Sequence, residues 1–149
     1  MGGDTEITPV DAAMVAHLVA LKTGVLVSWH GGEVDALMGF FDDHCHMWIF
    51  NTDGPPLPTA TNAAEIKAWA IQDCIDATNG GHPSPIGATE ASGGDIHATA
   101  TFASNAETGE IAMITAQFDL CHHAIGDMTV RLHIGTTSGK IFMVDLIPL

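Results

Sequence analysis

Residues 114–146 read ITAQFDLCHHAIGDMTVRLHIGTTSGKIFMVDL, and this stretch decides the fold. Gly and Asp turn signals, the last of them Thr137-Ser138-Gly139, divide it into three runs of period-two character, which predicts three consecutive antiparallel strands. Two carboxylates stand where strands usually keep apolar side chains: Asp119 within Gln117-Phe118-Asp119-Leu120, and Asp145 within Met143-Val144-Asp145-Leu146-Ile147. Side chains alternate across a strand, so Asp145 shares a face with Met143 and Ile147. A carboxylate among apolar side chains is costly to ionise, and its pKa rises towards the working range of a general acid or base. The plainer readings are an edge-strand aspartate turned to water, or a buried one satisfied by backbone donors. Two such acids on strands of one sheet point to chemistry.

Working outward, the meander extends towards the N-terminus. Runs at 86–91, 96–103, 110–122, 128–136 and 140–147 keep period two. The first half reads differently. Thr8 suits an N-cap, Pro9 the first helical position and Asp11 the N3 acid. Val10, Met14, Leu18, Leu21, Val25 and Trp29 follow at steps of three or four, and Val15, Val19 and Leu26 lie off that stripe, so this helix is expected to be covered on two sides, by the sheet and by another helix or subunit. His30-Gly31-Gly32 ends it. Residues 33–41 form a second, short helix, and 44–51 a first strand. The segment 52–58, with three prolines and a glycine, is expected to be loop. Asn62 and Glu65 open a third helix with Ile66, Trp69, Ala70 and Cys74 inward. Helices first and a meander after is an α+β layout, a sheet with helices packed on one side.

The composition bounds the function. With 149 residues the chain is one domain, 1–149, and 46% hydrophobic residues supply a core. Eighteen acids against four bases give a net charge of −14, which excludes the clustered cations that nucleic acid or an anionic membrane demands. Cys45, Cys74 and Cys121 are odd in number and widely spaced, with no C-x-x-C, so a reducing cytoplasm is the expected compartment. The N-terminus has neither a signal-peptide pattern nor a myristoylation pattern, and the apolar run 12–29 is broken by His17 and Lys22. Nucleotide-binding glycine motifs and the nucleophile elbow are absent, so no cofactor is expected.

The order helix, short helix, strand, loop, helix and long meander resembles the nuclear-transport-factor-2-like superfamily. That group includes SnoaL-like polyketide cyclases, ketosteroid isomerase, scytalone dehydratase and limonene epoxide hydrolase. Gly32-Glu33-Val34-Asp35-Ala36-Leu37 leading to Phe41-Asp42-Asp43 is similar to the family's helix-to-strand passage, as is Ser138-Gly139-Lys140-Ile141 before the last strand. Residue by residue, the nearest pattern is that of the epoxide hydrolases. Gln117-Phe118-Asp119 resembles their Arg-x-Asp with Gln for Arg; Ile49-Phe50-Asn51 before the proline-rich segment resembles their Tyr-x-Asn with Ile for Tyr; Asp145 matches their last-strand aspartate. The resemblance implies a strongly curved, mostly antiparallel sheet packed against three helices as a cone enclosing a pocket, and a homodimer through the sheet's outer face. It further implies a cofactor-independent enzyme for a small apolar polyketide- or terpenoid-like metabolite, working by cyclisation, isomerisation, elimination or epoxide opening. Asp119 would be general acid or base, Asp145 its proton-sharing partner, and Gln117 and Asn51 the orienting groups.

Other residues keep two readings each. His133 and His97 are either pocket groups that handle protons and bind substrate, or solvent-facing histidines, because register is not legible from sequence. Trp48, Trp69 and Phe118 are core, or a wall on which a flat substrate stacks. His44 and His46 share a strand face, as metal ligands do, but spacing specifies no third ligand, so no metal is assigned. His122 and His123 are neighbours and are expected to face opposite ways. A non-catalytic ligand-binding or dimerisation module of the same fold is the alternative function, and a metal protein built on His44 and His46 is a third.

Overall fold

The computed structural model describes residues 8–9, 12–51, 54–86, 97–105, 110–136 and 138–149, with side chains described for 16–50, 59–86, 113–136 and 138–149. The elements are β1 (Thr8–Pro9), α1 (Ala12–His30), α2 (Val34–Met38), β2 (Phe41–Asn51), β3 (Gly54–Ala60), α3 (Ala63–Asn79), β4 (His97–Asn105), β5 (Glu110–His122), β6 (Gly126–Gly135) and β7 (Ile141–Pro148). The strands form one sheet in the order β1-β4-β5-β6-β7-β2-β3. Every pairing is antiparallel except β2 with β7, which run parallel. The α+β architecture expected from the sequence is present, as a curved mixed sheet with helices on one face.

The β5–β6–β7 meander assigns the faces. Ile114, Ala116, Phe118 and Leu120 of β5 are buried, as are Met128, Val130, Leu132 and Ile134 of β6 and Val144 and Leu146 of β7. These side chains join Leu18, Leu21, Val25, Leu26 and Trp29 of α1 and Ile66 and Ala70 of α3 in one core. Burying each large apolar side chain contributes about 1.5–3 kcal/mol, which holds the helices against the inner face. Helix α1 is apolar towards the sheet, and on its other side Val19 and Val27 are exposed in the single chain, so no described helix of this chain supplies the second cover expected of it. Lys22 nonetheless lies on the buried side, its ammonium 5.3 Å from the centre of the Phe118 ring.

Three local expectations change. Residues 54–60 are strand β3 rather than loop; β3 is an edge strand, where prolines cost no ladder hydrogen bond. Thr8 and Pro9, expected to open α1, form strand β1 and pair with Ala100 and Thr99 of β4; the helix positions assigned to Val10 and Asp11 lie outside the described residues. Asp42 and Asp43 belong to β2, and α2 ends at Met38. Of the run 86–91 only Ile86 is described, as a single bridge to His122. Asn62 caps α3 as expected, accepting from the Glu65 amide at 2.9 Å, while Glu65 reaches back to Thr61.

Candidate active site

The outer face of the sheet collects most of the residues that the sequence singles out. Cross-strand register sets His97, Gln117, Arg131, Asp145 and Trp48 in one row over β4, β5, β6, β7 and β2. The rows beside it carry Thr115 with His133 and Met143, and Asp119 with Thr129 and Ile147. Asp145 is buried and bonded through Oδ2 to His133 Nε2 at 2.8 Å, and His133 Nδ1 meets Thr115 Oγ1 at 3.0 Å. Asp119 is exposed and accepts from the Thr129 hydroxyl at 2.7 Å; Gln117 accepts from Arg131 Nε at 3.1 Å. Phe118 points the other way, into the core. The side chains of Asn51 and His97 lie outside the described residues.

The inner face holds a cavity of about 40 Å³ lined by Val25, Trp29, Phe41, Trp69, Phe118 and Leu146 among others, all apolar. The inner face therefore carries an apolar pocket, far below the several hundred Å³ of a usual ligand site. Asp119, Asp145, His133, Gln117 and Trp48 do not line it, which corrects the expectation that the aspartate face is the pocket face. The reason is visible in β5: Ile114, Ala116, Phe118 and Leu120 outcompete the polar parity for the helix-covered side.

A second constellation lies where α1 ends, the 82–86 segment passes and β5 turns into β6. Asp73 occupies the inward stripe of α3 together with Ile66, Ala70 and Ala77. Its Oδ2 accepts from Trp29 Nε1 at 2.9 Å. Its Oδ1 faces His122 Nε2 at 2.8 Å and His123 Nε2 at 2.7 Å. Burial works against its ionisation, but hydrogen bonding and electrostatic attraction from His122, with further hydrogen bonds from His123 and Trp29, hold its pKa below the usual carboxylate value. An ionised carboxylate only accepts, so both imidazoles donate Nε2–H to it. Strand alternation ends at His122; His123 belongs to the turn, its amide bonded to the Pro85 carbonyl at 2.9 Å, and this is why both rings converge on one oxygen instead of facing opposite ways.

The rings differ in what remains. His122 Nδ1 accepts from the backbone amides of Ala124 and Ile125, both at 3.1 Å, so its two nitrogens are committed to structure. Its ring packs against Trp29 (5.7 Å between centroids) and Trp69 (6.1 Å). Both tryptophans also line the 40 Å³ cavity. His123 commits Nε2 alone, which leaves Nδ1 as the nitrogen it can offer outside. Outside is a cleft of about 420 Å³, lined by His30, His82, Ser84, Cys121, His122 and His123 and walled by Pro83, Pro85 and Ile86. That volume suits a small ligand.

The donor atoms of Asp73, His122 and His123 lie within 4.8 Å of one another, a two-histidine, one-carboxylate set of the kind that holds a divalent metal. The tautomer of His122 opposes this use. A neutral imidazole bound to a metal through Nε2 carries its proton on Nδ1, and here Nδ1 faces two N–H donors. The donor set therefore fits proton chemistry better than metal binding. His44 and His46 are both exposed, and no group of three metal-ligating side chains among the described residues includes them.

No family model matches the chain, and no curated protein matches it. Solved structures do. An NTF2-like protein of unknown function from Shewanella baltica superposes with a TM-score of 0.57 at 8% identity, covering 93% of this chain and 96% of that one. A SnoaL-like protein of unknown function from Burkholderia thailandensis gives 0.53 at 12% identity, covering 93% and 97%. The Anabaena orange carotenoid protein, solved binding canthaxanthin, gives 0.50 at 14% identity, covering 98% of this chain and 38% of that one. The fold is thus an NTF2-like cone.

Proposed function

We propose that the protein is a cofactor-independent acid–base enzyme acting on a small, mostly apolar metabolite in the 420 Å³ cleft, with Asp73 and His123 as its working pair. One observation supports this reading: a buried, ionised carboxylate fixes the His123 ring through Nε2–H, and that ring, with Nδ1 left over, lines the cleft. The step is proton abstraction. Nδ1 takes a proton from a carbon or oxygen acid, the electron pair stays on the substrate, and Asp73 stabilises the imidazolium until the proton returns at the same or another atom. Isomerisation, cyclisation and elimination all begin this way. Trp29 holds the second oxygen of Asp73, and His122 holds the first from the protein side.

The test uses 2-hydroxyacetophenone, whose carbinol protons are acidic, in deuterium oxide. Wild-type protein is expected to accelerate deuterium wash-in, read by proton NMR, and His123→Gln to lower that rate by roughly 10²-fold or more. Wash-in at the buffer rate with wild-type protein would overturn the reading. A binding role without turnover is the second reading, supported by the likeness to a chain solved with canthaxanthin. We also propose that two copies associate through the outer face of the sheet, where no described helix packs and where Trp48, Met143 and Ile147 stand among polar neighbours.

A further inference from the structure

The cleft has a second imidazole whose proton position is fixed. His30 Nδ1 lies 3.0 Å from the Ile86 carbonyl and 2.8 Å from Ser84 Oγ. A carbonyl only accepts, so Nδ1 carries the proton. The Ser84 hydroxyl in turn spends its own proton on the same carbonyl at 2.8 Å and receives the Ile86 amide at 3.3 Å. His30 is left with a bare Nε2, as His123 is left with a bare Nδ1. Asp73 can only accept, and His122 has both nitrogens engaged. Of the described histidine and serine side chains lining the cleft, only His82, exposed at its rim with its ring 5.7 Å from His123, has no committed proton.

We infer that the cleft selects ligands that present a hydrogen-bond donor, a hydroxyl or a protonated amine, and rejects carboxylates and phosphates. The inference rests on the proposed site and deepens it by naming the ligand's polar end. Two bare imidazole nitrogens have lone pairs to offer and no hydrogen to give, so a ligand hydroxyl or ammonium satisfies them. An anionic ligand oxygen at either nitrogen meets a lone pair, close to the Asp73 carboxylate, and His82 at the exposed rim is the one described imidazole of the lining with a proton left to give. Leaving such groups unpaired weakens binding roughly tenfold or more, before charge repulsion is counted. The net charge of −14 acts in the same direction at longer range, attracting cations and repelling anions. The proline and isoleucine wall takes the apolar body.

Benzyl alcohol, benzylamine and benzoate share one ring and differ in the polar end. Titrated into the full chain labelled with ¹⁵N-histidine, the alcohol and the amine are expected to shift the His30 and His123 ring resonances. Benzoate should bind at least roughly tenfold more weakly, the worth of a mismatched polar group. His30→Phe, which keeps a ring but removes the acceptor, should weaken alcohol binding several-fold; His30→Gln, which keeps a side-chain oxygen as acceptor, should recover part of it. Benzoate binding as tightly as the alcohol, with shifts at the same two rings, would overturn the inference even if proton exchange is observed. Selective alcohol binding without proton exchange would sustain it and sink the catalytic reading instead.

Discussion

The Nε2 atoms of His122 and His123 meet at a single oxygen, Oδ1 of Asp73, at 2.8 and 2.7 Å. Adjacent residues achieve this because one closes a strand and the other opens a turn. The second oxygen of the same carboxylate is held by the Trp29 indole at 2.9 Å, so Asp73 is the point at which α1, α3 and the β5–β6 turn are joined.

Asp73→Asn keeps the volume and removes the charge. Its amide nitrogen must then face either the indole N–H or the two imidazole N–H groups, and one donor loses its acceptor. The expected cost is about 1–3 kcal/mol. For a chain of this size that lowers Tm by roughly 2–4 °C for each kcal/mol. A thermal melt indistinguishable from wild type would show that the junction contributes nothing to the fold.

The same carboxylate sets an acid limit on stability. Its folded pKa lies below its unfolded value, so its contribution is present above the ordinary carboxylate range and is lost as pH falls through the folded pKa. The stability difference between wild type and Asp73→Asn should be constant near neutrality and shrink on acidification below about pH 4. Urea unfolding at a series of pH values measures it; a gap that widens towards acid would contradict the assignment.

The meander and its turns were legible because β5 and β6 alternate cleanly, apolar on one parity and polar on the other. The strand β7 was not: Met143, Asp145 and Ile147 are as apolar around the acid as Phe142, Val144 and Leu146, and only pairing with β6 assigns its faces. The family pattern then drew attention to Asp119 and Asp145 on the uncovered side. Asp73 does carry a signal in the sequence. Ile66, Ala70, Asp73 and Ala77 step by four, three and four along α3, whereas the stripe expected from the sequence runs to Cys74, one position beyond the acid. An acid on an apolar helical stripe is the clue. That His122 and His123 would converge depends on where a strand ends, and element ends are the least legible part of a sequence.

Substitution on the two sides of the sheet separates the candidate sites. Asp119→Asn changes an exposed group whose described partner is the Thr129 hydroxyl, and stability should move by less than about 0.5 kcal/mol. Deuterium wash-in should be unaffected by it and lowered roughly 10²-fold or more by His123→Gln. A loss of exchange in Asp119→Asn with the fold intact would return the chemistry to the outer face.

The proposed association of two copies through that outer face is tested by charge. Trp48→Glu places a carboxylate next to Asp145 in the cross-strand row, where two facing copies would bring like charges together. Sedimentation velocity should show a dimer for wild type and a monomer for the variant at equal concentration. A wild-type monomer at high micromolar concentration would remove the proposal.

The three thiols report on the cleft without a known substrate. Cys45 is fully buried, and burial, with the nearby Asp42 charge, pushes its pKa up to about 12. Cys74 is half-buried and also raised, by burial and then by the Asp73 charge. Cys121 is exposed and lines the cleft beside His122. Reactivity follows thiolate content and access, so iodoacetamide at pH 8 should label Cys121 first, Cys74 slowly and Cys45 only on unfolding. Benzyl alcohol in the cleft should slow labelling of Cys121 in proportion to occupancy and leave the rate at Cys74 unchanged, with both rates read by peptide mass spectrometry. Equal protection of both cysteines would mean a general effect of the alcohol on the fold, and no protection at Cys121 under conditions where the histidine resonances shift would place the ligand elsewhere.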